Sequence, residues 1–290
     1  MPRDHSAPRP GRRRVEEEAT NHTMSQSQMT QQSQSLTQAQ RAADSLPPDV
    51  INRRVSDFVQ YMLIMETKKL PVKRADLNKN VMKEHRNILP EVMRRGKLIL
   101  HDVFGYELVE AEHSTSGKNK QKLYFLLNNL ASNLTQDLVP EPDESKLGLL
   151  WTILALIFMH EGAMPDKQLW HLLSKLGLRT GQDERDDPVF GDIKKTITQD
   201  FTRQLYLEMV KLPNTDPVEY EFKWGMRAAK EISKESIIKA VAELYGDNVN
   251  PKVWKTQYRE VLLEKGLDPD AFYDNDEEGA ADQEQDMDED

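Results

Sequence analysis

A single uninterrupted apolar run, Leu147 to Met159 (LGLLWTILALIFM), constrains this chain more than any other segment. Lys146 precedes the run and a His-Glu pair follows it, so its bounds are sharp. Its 13 residues fall well short of the roughly 20 that a helix needs to cross a bilayer. The run therefore predicts a helix buried on most sides at the centre of a domain. No other segment is a better membrane candidate, and we expect no membrane partner.

The residues before this run show the order of elements of a winged helix. From Val50 to Ile64, apolar residues recur with the 3.6-residue spacing of an amphipathic helix. Two shorter helical patterns follow, and then two strand patterns with a polar loop between them. The helices are Lys73 to Met82 and Ile88 to Leu100, the strands Tyr106 to Glu110 and Leu123 to Leu127, and the loop His113 to Lys122. We therefore expect a first winged helix over residues 50–130.

The same order of elements recurs in the second half of the chain. The buried helix at Leu147 comes first, and two further helical patterns follow it. Two strand patterns then flank PNTDP, a sequence typical of a turn, which predicts a hairpin with a short wing. The helices are Asp166 to Leu176 and Ile193 to Gln204, the strands Leu205 to Leu212 and Val218 to Trp224, and two last helices Ala228 to Tyr245 and Pro251 to Lys265. The predicted fold is mainly α with small β-hairpins, arranged as tandem winged-helix domains.

Composition divides the chain into parts that fold and parts that do not. Residues 268–290 carry twelve acidic residues and no Lys or Arg, and residues 1–49 contain a Ser- and Gln-rich stretch from Met24 to Gln40. We predict that both ends are disordered, because they cannot bury enough apolar surface to offset the entropy of ordering. Between them, a linker is expected at 131–145, the second winged helix at 146–246 and a C-terminal helix at 247–267.

The charge of the folded part differs in sign from that of the whole chain. The formal net charge is −10, yet residues 51–267 hold 33 basic and 31 acidic side chains. The body is therefore slightly basic, and the acidity belongs to the tail. One hypothesis follows, that the tail competes with nucleic acid for basic clusters on the body.

No residue pattern predicts a catalytic centre or a bound cofactor. The chain has no Cys, which excludes disulfides, thiolate zinc sites and cysteine nucleophiles. Its seven His residues include no HExxH pair, and Gly117-Lys118 lacks the flanking residues of a phosphate loop. We expect no catalytic residues, no metal and no cofactor, and we interpret the chain as a protein that is not an enzyme.

Two basic clusters are candidate nucleic-acid surfaces. Between Lys68 and Lys97, ten basic residues, Lys73 and Arg74 among them, oppose three acidic ones. The members of the second cluster are Lys223, Arg227, Lys230, Lys234 and Lys239. Such clusters bind phosphates with release of counterions, so their affinity depends on salt more than on base sequence.

The alternative for both clusters is an ordinary solvated face. Arg227, Lys230 and Lys234 fall at positions i, i+3 and i+7, which places them on one side of the predicted helix. Glu231 and Glu235 lie beside them and are able to form ordinary surface ion pairs.

Two long stretches resemble the MAGE homology domain, a tandem pair of winged helices. They are GLLWTILALIFMHEGAMPDKQLWHLLSKLGL and PVFGDIKKTITQDFTRQLYLEMVKLPNTDPVEYEFKWGMRA, whose IFM, FGD and KLPNTDPVEYEFKWG elements keep the family's order and spacing. The resemblance covers residues 51–262. At Gly225-Met226-Arg227 the chain departs from the family, which usually has Pro between the Gly and the Arg. The acidic tail lies outside the family domain.

Within the family, the first wing and the opening VSDFVQYMLIMETKKLPVKRADL are most similar to the MAGE-type subunits of the SMC five/six chromosome-maintenance complex. The resemblance implies a non-catalytic scaffold in this SMC-type ATPase complex. Such a subunit bridges a RING-type ubiquitin ligase and a kleisin, stimulates the ligase and contacts duplex DNA. It implies a role in DNA repair and recombination, on chromosomes in the nucleus, telomeres included.

The resemblance also assigns surfaces to the two winged helices. In the family, a hydrophobic pair on the opening helix docks the RING ligase, and that pair corresponds to Met62 and Leu63. The alternative is that both residues belong to the core, since they follow Phe58 and Val59 on the apolar face. The second winged helix is expected to offer an apolar groove to the kleisin and basic residues to DNA, which favours the second basic cluster.

A function of another class is a freestanding winged-helix transcription regulator. A regulator places side chains in the major groove and prefers certain base sequences. A scaffold that contacts phosphates shows no such preference, so DNA binding separates the two hypotheses.

Overall fold

Helices make up most of the chain, and short antiparallel strands form two small sheets. The structure is a computed structural model that describes five ranges, residues 36–115, 119–130, 141–179, 187–246 and 249–272. The predicted fold class, mainly α with small hairpins in tandem winged helices, is confirmed. The chain forms two compact units, one ending at Leu126 and the other made of Leu127 onward with the short segment Lys69–Pro71.

The first unit begins with two helices, α1 over 36–44 and α2 over Pro48–Thr67. Strand β1 (Val72–Lys73) leads into α3, which continues as a π-helical segment. A 3₁₀ turn, helix α4 and strands β2 and β3 complete the unit. The bounds are Arg74–Asp76 for α3, Leu77–Met82 for the π-helical segment, Arg86–Ile88 for the 3₁₀ turn, Leu89–Phe104 for α4, Tyr106–Thr115 for β2 and Asn119–Asn128 for β3.

Close packing of α4 on α2 organises the core of the first unit. The predicted apolar face of α2 is buried, with Phe58 completely enclosed. Gly96 lets α4 approach, because a Cβ atom there would lie 2.3 Å from the Phe58 ring. Helix α4 ends at Gly105, whose left-handed backbone (φ 69°) lets its N–H bond the carbonyl of His101.

The first sheet has the order β1-β3-β2. Strand β1 is only two residues long, with Val72 opposite Tyr124, and the sequence analysis missed it because two residues carry no detectable alternation. The predicted loop His113 to Lys122 is wrong over most of its length. Its flanks extend β2 to Thr115 and start β3 at Asn119, while residues 116–118 lie outside the described ranges.

The second unit repeats this plan with different lengths. Helix α5 (Glu141–Met159) is followed by β4 (Ala163–Pro165) and α6 (Asp166–Lys175). The remaining elements are α7 (Ile193–Lys195) with a π-helical continuation (Thr196–Phe201), β5 (Leu207–Lys211), β6 (Tyr220–Trp224), α8 (Ala228–Glu231), α9 (Lys234–Tyr245), a 3₁₀ turn (Pro251–Val253) and α10 (Lys255–Glu264).

Helix α5 is the centre of the second unit, as its apolar run predicts. Ile153, Leu154 and Ile157 are completely buried. The backbone of α5 also contacts β6, since the Trp224 indole N–H donates to the Leu154 carbonyl at 2.9 Å. Among the described residues, no helix is both long enough and apolar enough to cross a bilayer.

The second sheet has the order β4-β6-β5, and its hairpin is the one that the turn sequence predicts. Leu207 pairs with Trp224 at the open end. Just beyond, Gly225 donates its N–H to the Tyr206 carbonyl at 2.8 Å and lies against the backbone of Leu205. Glycine is required here because a Cβ atom would lie 2.2 Å from the Leu205 carbonyl oxygen.

Each unit begins earlier in the sequence than predicted. Residues 36–44, assigned to the disordered arm, form α1 with Ala39 and Ala43 buried. Helix α5 starts at Glu141, inside the predicted linker. Polar composition hid both segments, because α1 buries few side chains and residues 144–148 at the start of α5 bury none. Residues 1–35 and 131–140 lie outside the described ranges.

Two further predictions fail towards the C-terminus. The single helix Ala228 to Tyr245 is interrupted at Ile232, whose backbone is extended, and the Ser233 hydroxyl then caps α9 by accepting the Ser236 N–H. Residues 269–272 of the predicted disordered tail form a helical turn, in which Pro269 is buried. Residues 273–290 lie outside the described ranges.

We predict that Gly225→Ala destabilises the second unit by about 3 kcal/mol or more, because the new methyl group meets backbone that cannot move aside. All four Trp residues belong to that unit, so urea unfolding followed by Trp fluorescence measures its stability. Gly148→Ala is the matched control, since nothing lies within 4 Å of a Cβ atom there. Equal stability of the two variants would contradict the close contact.

Candidate functional site

Arg227 does not belong to a DNA-binding surface, which corrects the sequence prediction. Its side chain is 0% exposed. The guanidinium donates to the Gln204 carbonyl (Nε, 3.0 Å) and to Glu231 (Nη1, 3.0 Å), and it lies 5.7 Å from the centre of the Tyr206 ring. The Tyr206 hydroxyl completes the group by donating to Glu231 at 2.6 Å. A buried guanidinium with these partners stabilises the fold and is closed to phosphates.

The predicted common face of Arg227, Lys230 and Lys234 does not exist. Its i, i+3, i+7 spacing assumed one continuous helix, and the break at Ile232 separates α8 from α9. Lys230 is exposed, and it has no ion pair within the described ranges. Lys234 is held inward, because its amine bonds Glu260 at 2.7 Å and lies 5.9 Å from the Phe158 and Trp224 rings.

The other two members of the second cluster form surface ion pairs. Lys223 contacts Glu221 and Lys239 contacts Glu235, each at 2.7 Å. Exposed pairs of this kind contribute little free energy, so a phosphate can replace the carboxylate. Lys223, Lys230 and Lys239 therefore remain candidates for phosphate contact, whereas Arg227 and Lys234 do not.

In the first unit, Lys73 and Arg74 stand exposed where β1 passes into α3. The Lys73 backbone N–H donates to the Asp76 carboxylate at 3.4 Å, which holds the junction in place. Lys79, Lys83 and Arg86 of the same basic cluster are also exposed. This part of the cluster presents its positive charge to solvent, which is compatible both with a DNA-contacting surface and with a solvated face.

Two Arg residues of that cluster are engaged by a buried acid. The Glu91 carboxylate is completely buried and accepts two hydrogen bonds from Arg94 (both 2.8 Å) and one from Arg95 (2.7 Å). The Arg94 hydrogen bonds, opposed by burial and aided by Arg95, lower the pKa of Glu91 to about 2. Glu91 thus removes part of the positive charge that the sequence suggested was available.

The hydrophobic pair assigned to a RING partner is divided between core and surface. Met62 is 1% exposed and belongs to the core of the first unit, so its assignment to a surface is wrong. Leu63 packs against that core from outside and is partly exposed, and the next residue, Ile64, is 48% exposed. The difference arises because adjacent residues on a helix point about 100° apart.

An apolar strip on α4 was missed by the sequence analysis. Leu98, Ile99, Val103 and Phe104 in the C-terminal part of α4 are exposed, although the same helix packs on α2. The signal in the sequence was that the apolar residues of α4 fall on more than one side of the helix, so that some of them must be exposed.

A surface pocket of about 380 Å³ opens beside the start of α5 in the second unit, and it was also missed. Its lining is mostly apolar, and Leu176 at its rim is 60% exposed. The lining residues are Ser145, Gly148, Leu149, Thr152, Leu176, Leu178 and Phe190. The closely spaced leucines of KLGL after α6 were the signal in the sequence. Within the described ranges, no three His, Asp or Glu side chains are grouped as a metal site.

Comparison with protein families and curated proteins gives a consistent result. Residues 58–235 match the sequence profile of the MAGE homology domain. The chain is 40% identical over 214 residues to the human Non-structural maintenance of chromosomes element 3 homolog, covering 73% of this chain and 66% of that protein. It is 37% identical over 228 residues to human Melanoma-associated antigen D2, covering 78% and 36%. The chain thus spans less than two thirds of either protein.

A solved structure is similar in the same region. One chain of a structure titled Nse1-Nse3-Nse4 complex superposes with a TM-score of 0.65 and 39% sequence identity. The match covers 74% of this chain and 99% of that chain.

We predict that Glu91 makes the first unit sensitive to acid. Its folded pKa of about 2 lies below the ordinary 4.5, so its stabilisation is complete above pH 4.5 and is lost as the pH falls towards 2. The loss amounts to about 3 kcal/mol. Glu91→Gln should flatten this part of the pH profile, measured as amide hydrogen exchange of α2 and α4. Glu84→Gln, at an exposed site, is the control and should follow the unsubstituted chain. Parallel profiles for all three would contradict the prediction.

Proposed function

This chain belongs to the MAGE homology domain family, and from that premise we propose that it is a non-catalytic scaffold subunit of an SMC five/six chromosome-maintenance complex. There it bridges a RING-type ubiquitin ligase and a kleisin, stimulates the ligase, and contacts duplex DNA without sequence preference. Its place of action is the chromosome in the nucleus, in DNA repair and recombination and at telomeres.

One observation carries this proposal. The similarity to the solved Nse1-Nse3-Nse4 complex extends over 99% of the matched chain at 39% identity, so nearly all of that subunit has a counterpart here. A subunit that holds two partners has room for them on two units, and the matched region of the family, residues 58–235, includes parts of both units of this chain.

The RING partner is assigned to the first unit through Leu63 and Ile64. Met62 supports this surface from below, since it fills the core under α2. Partly exposed Leu63 and half-exposed Ile64 supply apolar area that is able to be buried on association. The exposed strip on α4 adds further apolar surface to the same unit.

The kleisin is assigned to the pocket beside α5. Apolar pockets of a few hundred Å³ with a few polar groups at the rim are typical of sites that take up anchoring side chains. Here Leu149, Leu176 and Phe190 supply the apolar lining, and Ser145 and Thr152 supply hydroxyls. A hydrophobic segment of the kleisin fits this composition.

We predict that the chain copurifies with a RING ligase and a kleisin when the three proteins are coexpressed. Leu63→Arg should release the RING ligase alone, and Leu176→Arg should release the kleisin alone, each by at least about tenfold in affinity, because a charge at an apolar contact must be desolvated. Leu244→Arg is the matched control, since Leu244 is 81% exposed and belongs neither to the apolar pair on α2 nor to the lining of the pocket.

The outcomes separate folding from binding. Circular dichroism of each variant must match that of the unsubstituted chain. Partner release by folded Leu63→Arg or Leu176→Arg supports the assigned surface. Failure of the unsubstituted chain to hold either partner, with circular dichroism normal, would overturn the scaffold function.

Contact with DNA is assigned to the exposed cations of both units. Lys73 and Arg74 supply them in the first unit, and Lys230, Lys223 and Lys239 supply them in the second. Their chemistry suits phosphates, which are the same in every sequence.

We predict that unrelated duplexes bind with affinities within about threefold of one another, and that all affinities fall steeply with salt. Charge reversal of Lys73 and Arg74 together, or of Lys230 with Lys239, should lower affinity and reduce the salt slope by roughly one to two. Arg227 is unsuitable for this test because its side chain is buried. A strong preference among duplexes would instead favour a transcription regulator.

A further inference from the structure

The acidic end of the chain is attached to the second unit by a defined set of contacts. The helical turn at 269–272 places the Phe272 ring 5.8 Å from the Tyr258 ring on α10, centre to centre. The Lys252 amine lies 4.6 Å from the centre of the Phe272 ring, and Asp270 forms an ion pair with Arg259. Pro269 is buried beneath the turn. The start of the tail therefore has a fixed position.

That position lies within a group of basic side chains. Lys255 and Arg259 are one turn apart on α10, and Lys252 lies just before the helix. Phe272 and Asp270 contact members of this group directly. We define Lys252, Lys255 and Arg259 as the basic group of α10. The chain leaves this group at residue 273 and continues for 18 residues with ten acidic side chains and no Lys or Arg.

We propose that residues 273–290 dock on the basic group of α10 and on neighbouring cations of the second unit, and that they compete there with duplex DNA. The occupant of this surface is thus the chain's own acidic tail. The docking itself is independent of any partner. Its effect on DNA rests on the proposed function.

The length of the tail is sufficient for this role. Eighteen residues span at most roughly 60 Å when fully extended. A folded unit of this size has a radius of gyration of roughly 14 Å. From its anchor at Phe272, the tail therefore reaches a large part of the surface of the second unit.

Covalent attachment makes weak docking effective. A short flexible tether gives an effective concentration in the millimolar range, so an intrinsic dissociation constant of roughly 0.1 mM leaves the basic group about nine-tenths occupied. The attraction is electrostatic between exposed groups, and salt therefore weakens it. DNA, which carries a higher density of negative charge, displaces the tail when it is present at sufficient concentration.

The experiment uses two full-length chains, the unsubstituted one and a neutral-tail chain in which all ten acids of 273–290 are replaced by their amides. A fluorescently labelled peptide of residues 273–290 is titrated into each, and anisotropy reports binding. The neutral-tail chain should bind the peptide at least about tenfold more tightly, because its own tail no longer occupies the surface. Equal affinity for the two chains would overturn the proposal.

The location is tested in the neutral-tail chain. Lys252→Glu together with Lys255→Glu should weaken peptide binding at least about tenfold. Lys211→Glu, an exposed charge reversal on β5, is the control and should have a much smaller effect. An equal loss in both cases would overturn the assignment to the basic group of α10.

Duplex DNA provides the functional arm. At low salt the neutral-tail chain should bind DNA about threefold to thirtyfold more tightly than the unsubstituted chain, and the difference should vanish at high salt. Equal DNA affinities at low salt would overturn the competition. If the neutral-tail chain takes up the peptide as expected and neither chain binds DNA, docking of the tail is supported and the DNA contact of the proposed function fails.

Discussion

The approach of the backbone at Gly225 to Leu205 and Tyr206 is the contact on which the second unit depends. Two hydrogen bonds close it, from Gly225 to Tyr206 at 2.8 Å and from the Arg227 N–H to Leu205 at 3.0 Å. They turn the chain inward directly after β6 and carry the Arg227 side chain into the interior. The guanidinium then meets Gln204, Glu231 and the Tyr206 ring. A buried guanidinium is costly to desolvate unless it is hydrogen-bonded, so these contacts join the hairpin to α8.

The positive charge that this protein presents to solvent depends more on which side chains are buried than on how many basic residues the sequence contains. Glu91 draws Arg94 and Arg95 towards the first core, and Arg227 is enclosed in the second. The cations that remain available to a polyanion are the exposed ones, such as Lys73, Arg74 and Lys230. On our proposal, the acidic tail that leaves the second unit at Phe272 adds an internal competitor. The chain therefore presents less positive surface than its basic clusters suggest.

Several features could be predicted from the sequence because they follow from local rules. The apolar run of α5 has no polar face to expose, so it must be central. The PNTDP turn can only reverse the chain, and the hairpin follows. The break between α8 and α9 was also visible, since Ser233 is a favourable N-cap residue. The helical periodicity on either side concealed this break. The predicted common face of Arg227, Lys230 and Lys234 was wrong because it assumed one continuous helix.

The sequence by itself determined the tandem winged-helix fold, the family and the separation of an acidic end from a nearly neutral body. It determined them because periodicity, turn residues and charge counts are properties of the chain in one dimension. Only the tertiary structure decided which of two adjacent residues, Met62 or Leu63, faces the core, and whether Arg227 meets solvent. Those choices depend on helix rotation and on the approach of distant backbone segments. Residue spacing alone does not fix the helix rotation or the backbone approach. Both are set by the close packing of elements that are distant in the sequence.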